Sequence, residues 1–227
     1  MREENEYIEI EFHSIDGKKY NAIFVEKLYE KINTERKDIL YKLNIENARK
    51  VKINLYDDKE MFLNDIASFY NEYDIPDYCR GTIQKGEIFF LVNTKLDANN
   101  FIYELELRKI VHEYIHILYA EYIANINERI TWLDEGIALN LSKEKGKFIN
   151  ERFPILKSNI KEIDLNELKH ENGTFVTKNI NGYEVSFLTV KYLLETLSRD
   201  DFNKIIRNHQ EIIKIRKKHL DKCNELF

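Results

Sequence analysis

The stretch His112-Glu113-Tyr114-Ile115-His116 determines how the rest of the chain is interpreted, because it has the pattern H-E-x-x-H. It lies in an apolar-periodic run, from about Asn100 to about Tyr122, that contains no proline or glycine and therefore predicts one long helix. On a helix, side chains four residues apart are turned by only about 40° and raised by about 6 Å, so both imidazoles project from one face. They can bind one metal ion there, and Glu113 is placed to take a proton from a nearby water molecule.

An ordinary amphipathic helix, whose two histidines and glutamate make unrelated hydrogen bonds, is the alternative explanation. Chance produces the pattern in roughly one chain in a hundred of this composition. The composition matters because only 6 of the 227 residues are histidine. The buried character of the predicted helix and the motif that follows it both favour a metal site.

A third metal ligand is offered by the segment Trp132-Leu133-Asp134-Glu135-Gly136-Ile137-Ala138. Glu135 follows His116 by nineteen residues, which is enough for the first helix to end, the chain to reverse and a second helix to begin. The carboxylate can then face the two imidazoles. Gly136 and Ala138 suit a close approach of two helices, where larger side chains would hold the backbones apart. An exposed glutamate on an ordinary amphipathic helix is the alternative.

Together the two motifs resemble the gluzincin zinc metallopeptidases of the peptidase MA-like type, which are related in plan to thermolysin and to a group of aminopeptidases. The strong likeness covers residues 112–138, and a weaker one extends from about Val51 to about Arg207. The resemblance implies peptide-bond hydrolysis with one Zn²⁺ per chain. The sequence has no G-x-M-E-N-type motif to bind the free amine of a substrate, so we expect an endopeptidase rather than an aminopeptidase.

The resemblance also implies a role for each motif residue. His112, His116 and Glu135 would bind the zinc ion, and Glu113 would be the general base. A catalytic zinc site keeps one position open for water, whose pKa falls to about 7 there. The second hypothesis is a binding or regulatory module that kept the metal and is catalytically inactive, and the third is an interaction protein without metal. Glu113 favours the enzyme, because a purely structural site needs no base.

A tyrosine or histidine near the metal donates a hydrogen bond to the oxyanion in related enzymes. The segment Gly182-Tyr183-Glu184-Val185-Ser186-Phe187 resembles the start of the family helix that carries this residue, so Tyr183 is the candidate. His170 is the second candidate, since a histidine can do the same work. A core or surface role is the alternative for Tyr183, because the chain has 14 tyrosines and most of them must have such roles.

The hydrogen-bond partners of the metal-binding imidazoles are the point at which the sequence departs from the family. Thermolysin-like relatives use an aspartate four residues after the ligand glutamate as such a partner. Here Leu139 occupies that position, with Asn140 beside it. Asp134 is the other candidate, although it is adjacent to Glu135 and can face away from the site.

Alternation of apolar and polar residues predicts a small sheet in the N-terminal half of the chain. The predicted strands are Tyr7–His13 and Val51–Tyr56, followed by a hairpin of Cys79–Ile83 and Gly86–Val92. The resemblance places the second strand of this hairpin at the rim of the cleft, where an extended peptide could pair with a free edge. A plain sheet strand without a role in substrate binding is an equally good alternative.

Apolar residues at intervals of three and four predict helices elsewhere. Besides the metal helix they span about Ala22 to Leu43 (one helix or two), Asp57-Asp58 to Phe69, the Glu135 helix to about Gly146, Tyr183 to Leu197, and a segment capped by Ser198. Asp97 or Asn100 is the predicted cap of the metal helix.

The predicted fold class is therefore α+β, with a small N-terminal sheet and helices, an active-site helix pair and a mostly helical C-terminal part. We expect a single metallopeptidase-like domain over residues 1–227. The sheet and the metal helix would occupy residues 1–125, and a helical sub-domain would occupy residues 126–227.

The composition, with 43% hydrophobic and 33% charged residues, is that of a folded globular protein. A net charge of −5 gives no argument for binding nucleic acid, and the basic run from Lys214 to His219 is interpreted as a solvated helix face. No apolar stretch is long enough to cross a membrane. We expect a monomer whose partner is a peptide or protein substrate.

The first residues, Met1 to Glu6, are polar and acidic, unlike a signal peptide. This predicts a cytoplasmic protein, unless the chain is exported by another route or has been trimmed at its start. Cys79 and Cys223 are far apart in sequence and outside any metal-binding spacing, which predicts reduced thiols.

Overall fold

The N-terminal strands form one sheet in the computed structural model of the chain, and helices make up most of the rest. The mixed architecture agrees with the predicted α+β class. The residues that the structure describes are 2–14, 19–70, 75, 79–93, 101–123, 129–144, 168–170, 173, 175–177 and 181–208.

The sheet has five strands, of which the inner three are parallel. The strands are β1 (Arg2–Glu4), β2 (Ile8–His13), β3 (Val51–Tyr56), β4 (Gly81–Gln84) and β5 (Glu87–Leu91). Their order across the sheet is β1-β2-β3-β5-β4. The outer strands β1 and β4 are antiparallel to their neighbours, whereas β2, β3 and β5 run in the same direction.

The alternation in β2 separates a buried face of the sheet from a polar one. Its three apolar residues are buried, whereas Glu9 and Glu11 are only half-buried. On the polar face, the Glu11 carboxylate pairs with the Lys52 ammonium of β3 at 2.9 Å. Strand β1 consists of three exposed charged residues and was not expected from the sequence. It is defined by its backbone pairing with β2, and it has no apolar pattern from which a strand could be predicted.

The predicted hairpin is confirmed, but its position in the sheet is not the expected one. Its turn residues Lys85 and Gly86 both have positive φ, at 51° and 74°, as a type I′ turn requires. Strand β5 is paired with β3 on one side and with β4 on the other. Strand β5 therefore has no free edge for a peptide, and β4 is the outer strand among the described residues. A position of β5 at the rim of a cleft stays a prediction. Strand order depends on pairings distant in sequence, which the alternation does not encode.

Six helices occur in the described part of the chain. They are α1 (Lys19–Lys42), α2 (Lys59–Ala67), α3 (Phe101–Tyr122), α4 (Thr131–Leu141), α5 (Gly182–Thr196) and α6 (Arg199–Ile206). The side chains of Asp58, Asn181 and Ser198 accept hydrogen bonds from the backbone N–H three residues later, at 2.8, 3.4 and 3.1 Å. These caps fix the starts of α2, α5 and α6.

Two helix boundaries could not be placed from the sequence and are defined by the structure. The segment that was expected to form one helix or two from Ala22 to Leu43 is a single helix, α1, which ends at Lys42. Helix α4 ends at Leu141, five residues before the predicted stop near Gly146, and Lys143 has a left-handed φ of 58°. The predicted caps Asp97 and Asn100, together with Gly146, the basic run and Cys223, lie outside the described residues.

The chain divides into two compact units whose boundary falls inside α3. One unit comprises Met1–Tyr41 and Ile45–Ile117, and the other comprises Lys42–Asn44 and Leu118–Phe227. The first contains the sheet, and the second contains α4, α5 and α6. The predicted single metallopeptidase-like domain stays a prediction.

Helices α4 and α5 pack closely because Gly136 has no side chain. A Cβ atom at this position would lie 2.4 Å from the Ser186 carbonyl oxygen and 2.4 Å from a methyl group of Val190. The Asn140 amide then joins the helices, donating to the carbonyl oxygens of Gly136 at 2.7 Å and Phe187 at 2.9 Å. The close helix approach expected at Gly136 is confirmed.

The second unit also holds the C-terminal end of α1. The Asn203 amide donates to the Lys42 carbonyl at 2.8 Å, and the Arg207 guanidinium donates to the carbonyls of Leu43 at 2.6 Å and Asn44 at 3.3 Å. Burial lowers the pKa of Arg207 from its ordinary value. These donors satisfy carbonyl groups that a helix end leaves without intrahelical partners.

Among the helices of the described residues, none combines the length and the apolar character needed to cross a membrane.

Candidate metal centre

Three buried side chains converge as the sequence predicts. His112 and His116 lie on α3 and Glu135 lies on α4, and one ligand atom from each is within 4.8 Å of the others. Their exposed fractions are only 7%, 6% and 7%. Burying two imidazoles and a carboxylate together costs free energy unless they are compensated by hydrogen bonds or by a cation. The triad could therefore hold a metal ion.

The geometry of the histidine pair fits such an ion. The two Nε2 atoms are 2.8 Å apart, and the rings meet edge to face with their centroids 4.5 Å apart. Two nitrogens on one tetrahedral zinc, with bonds of about 2.1 Å, would be separated by about 3.4 Å. The observed distance is shorter than this, so the two rings would have to separate slightly to share an ion. Two imidazoles and a carboxylate form a donor set that suits zinc and other borderline divalent ions.

Glu113 is half-buried beside the first histidine and close to the outer strand of the sheet. A Cβ atom on Gly81 would lie 3.6 Å from Glu113 Oε1 and 2.8 Å from the ring of Phe90. The glycine at the start of β4 thus leaves room next to the carboxylate of the predicted base. Gly81 was not recognised in the sequence, although a glycine in a strand often marks a place where another group approaches closely.

Cys79 is part of the same neighbourhood. Its thiol donates to the carbonyl oxygen of Gly81 at 3.6 Å. Burial raises the pKa of Cys79, and the negative charge of Glu113 raises it further. The raised pKa keeps this sulfur in its neutral thiol form at neutral pH.

Asp134, which precedes the predicted ligand on α4, is fully buried and has a charged partner. Its carboxylate accepts hydrogen bonds from the guanidinium of Arg129. Burial raises the pKa of Tyr119 well above its ordinary value, and the charge of Asp134 adds to this effect. Arg129 lies outside the motif and was not recognised in the sequence. A role for Asp134 as partner of an imidazole stays a prediction.

The residue at the family position of the missing aspartate and the residue after it both have packing roles. Leu139 is buried in an apolar cluster with Phe187 and Leu188. The Asn140 amide nitrogen donates to two backbone carbonyl groups of α4 and α5, as described above.

His170 and Tyr183, the two candidates for an oxyanion donor, belong to one aromatic group near Glu135. His170 Nε2 lies 3.0 Å from Glu135 Oε1, the distance of a hydrogen bond to the carboxylate. The His170 ring is 4.2 Å from Phe175 and 5.8 Å from Tyr183, and Phe175 packs edge to face on Tyr183 at 4.8 Å. The structure thus brings the second candidate into contact with a predicted ligand. The catalytic role of either residue stays a prediction.

Comparisons of this chain with family models, with curated proteins and with solved structures gave no match. The fold class and the buried triad are therefore established by the structure alone. The gluzincin resemblance depends on the two sequence motifs.

Proposed function

We propose that the chain is a zinc-dependent peptide-bond hydrolase that acts as an endopeptidase. The observation that carries this proposal is the buried convergence of His112, His116 and Glu135, with Glu113 beside the first histidine. Two imidazoles and one carboxylate are the ligand set of thermolysin-type zinc sites, which keep a fourth position open. An acid next to such a site has a use in hydrolysis and none in a purely structural site.

Each side chain has a distinct role in the proposed reaction. A bound zinc ion would polarise a water molecule and the carbonyl group of the scissile bond. Glu113 accepts the proton as the water attacks and passes it to the departing amine. Tyr183 donates a hydrogen bond to the oxyanion, with His170 as the alternative donor. Removal of one such donor typically lowers the rate by about 10²–10³.

The sheet offers a place for an extended substrate. Among the residues that the structure describes, β4 is the outer strand on its side, and its first residue, Gly81, lies against Glu113. A peptide that adds to this edge by backbone hydrogen bonds would pass next to the base. A free edge can accept a chain that continues in both directions, which favours an endopeptidase.

Zinc analysis and one isosteric substitution test the proposal. Purified protein should contain about one zinc per chain. Glu113→Gln should keep the zinc and lose about 10²–10⁴ in hydrolysis rate, the usual contribution of a general base. Glu121→Gln, at an exposed position of the same helix, is the matched control and should keep both properties.

The outcomes separate the competing functions. Zinc at full occupancy without hydrolysis of any peptide would favour the metal-stabilised, inactive module. Absence of stoichiometric zinc would favour a metal-free interaction protein. Full activity in Glu113→Gln would remove this residue from the mechanism.

A further inference from the structure

Three charged side chains form a cluster on the Gly81 side of Glu113, which we call the Arg80 cluster: Arg80, Glu106 and Lys109. Both Nη atoms of the Arg80 guanidinium donate to the Glu106 carboxylate, Nη1 at 3.1 Å. The Nη2 atom also donates to the Leu91 carbonyl oxygen at 2.8 Å. The Lys109 ammonium donates to the same carboxylate at 3.1 Å. A single buried anion therefore holds two cations.

The burial of the cluster is uneven. The Glu106 side chain is 2% exposed, whereas the side chains of Arg80 and Lys109 are 37% and 34% exposed. The carboxylate thus lies inside and both cations reach the surface. Two positive charges and one negative charge leave a formal net charge of +1 that solvent or a ligand can contact.

The cluster adjoins the predicted base from two directions. Along α3, Lys109 precedes Glu113 by four residues, so the two side chains share a face about 6 Å apart along the axis. Along the outer strand, Arg80 immediately precedes Gly81, the residue packed against Glu113. An extended peptide advances about 3.3 Å per residue, so this spacing corresponds to about two residues of substrate.

We propose that the Arg80 cluster is a subsite for an acidic substrate side chain, located within about two residues of the scissile bond. This inference rests on the proposed function and names its substrate class, peptides with glutamate or aspartate near the cleavage point. Glu106 and the Leu91 carbonyl hold the guanidinium in place before a substrate arrives. The ammonium of Lys109 has further N–H donors for a carboxylate of the substrate. A basic side chain at the same place would be repelled.

A matched peptide series tests the subsite on the full zinc-loaded chain. Peptides that carry glutamate, glutamine or lysine at one position and are otherwise identical are compared. The variable position is placed in turn at each of the two residues before and the two residues after the cleaved bond. At one position, kcat/KM should fall by about two- to fivefold at each step from glutamate to glutamine to lysine, as expected for an exposed charge pair. High salt should reduce the preference.

Two lysine variants assign the preference to the cluster. Lys109→Glu should reverse the order of the peptides, and Lys109→Gln should reduce the difference between them. Lys52→Gln is the control, because Lys52 is 35% exposed and pairs with Glu11 at 2.9 Å on the polar face of the sheet. This control should keep the preference of the unaltered chain. An unchanged preference in Lys109→Glu would overturn the proposal.

Binding provides a second measurement that does not depend on turnover. Fluorescence anisotropy of the labelled peptides with the Glu113→Gln chain should show tighter binding of the glutamate peptide. Cleavage of all three peptides with equal kcat/KM would overturn the subsite and leave peptide hydrolysis standing. Charge-dependent binding without cleavage by the unaltered chain would overturn the peptidase and keep the subsite. Equal binding without cleavage would overturn both.

Discussion

Helices α3 and α4 both carry predicted metal ligands, but different physical causes position them. On α3, the separation of His112 and His116 is set by the helix itself, because four residues make slightly more than one turn. On α4, Glu135 is a single residue whose direction depends on how the whole helix is packed. Nine of the eleven residues of α4 are buried, and Gly136 and Asn140 fix the helix against α5. A local pattern thus supplies two ligands, and tertiary packing supplies the third.

The largest loss of stability is expected at Gly136, where the position of Glu135 depends most on the packing of α4 against α5. In Gly136→Val the added atoms would meet the Ser186 backbone, which cannot move aside as a flexible side chain would. We expect the free energy of unfolding to fall by about 3 kcal/mol, and zinc affinity to fall although every ligand is retained. Urea unfolding and zinc titration measure the two effects.

Gly136→Ala and Ala120→Val complete this test. The alanine variant should show the same changes to a smaller degree, since it adds a single carbon. Ala120→Val places the same branched side chain at a half-buried position of α3 and should cost less than about 1 kcal/mol through helix propensity. Equal losses in Gly136→Val and Ala120→Val would contradict the contrast between the two helices.

The next effect is expected at Arg129, whose guanidinium pairs with the buried carboxylate of Asp134. Arg129→Met removes this charge and should lower the free energy of unfolding by about 2 kcal/mol, because the carboxylate has no exposure to water. Arg129→Lys keeps a positive charge and should cost less. Urea denaturation of both variants measures the difference, and identical stability of Arg129→Met and the unaltered chain would contradict the importance of the pair.

The same contrast explains how much of the structure could be predicted from the sequence. The periodicity of apolar residues located β2, β3, the hairpin and the long helices. The caps Asp58 and Ser198 located two helix starts. These features depend on residues a few positions apart, as does the spacing of the two histidines in the H-E-x-x-H motif. The approach of Glu135 was inferred from a motif resemblance.

The features that escaped prediction depend on contacts distant in sequence. Strand β1 has no apolar residue and exists through its pairing with β2. The position of β4 rather than β5 as the outer strand likewise depends on the pairing of β5 with β3. Gly81 lies beside Glu113, and Arg80 binds Glu106, only after the sheet and α3 have formed. A side chain's partner in such contacts cannot be deduced from its neighbours in the chain.

A smaller effect is expected from Asn140, which joins α4 to α5 by hydrogen bonds rather than by shape. Asn140→Ala removes the donor to the carbonyl groups of Gly136 and Phe187 and should lower stability by about 1–2 kcal/mol. Thr196→Ala is the control, because the hydroxyl of Thr196 bonds within its own helix, to Tyr192 at 2.7 Å. Thermal unfolding should show the larger loss for Asn140→Ala, and the reverse order would contradict its joining role.

The smallest effect is expected at high pH and concerns Tyr119, near the end of α3. The pKa of Tyr119 is raised in the folded chain by burial and by the charge of Asp134, so the folded state keeps its proton to a higher pH. This contribution to stability is complete below the unfolded pKa of about 10 and is lost as the pH rises above it, by at most about 1.4 kcal/mol per pH unit.

The pH dependence of urea unfolding in Tyr119→Phe measures this contribution. The variant should lose less stability than the unaltered chain between pH 10 and pH 11. Tyr41→Phe, at a residue with 62% exposure, should behave as the unaltered chain does. The same alkaline slope in all three proteins would contradict the raised pKa.

The bonds that Arg207 and Asn203 make to the end of α1 have a consequence for the order in which the protein matures on the ribosome. The carbonyl groups of Lys42, Leu43 and Asn44 are synthesised early, yet their donors follow 161 to 164 positions later. Until those donors emerge from the exit tunnel, water must occupy the three oxygens. The C-terminal end of α1 therefore gains these hydrogen bonds only after most of the chain has been synthesised. In a nascent chain arrested before Arg207, this end should be more open to hydrogen exchange and proteolysis.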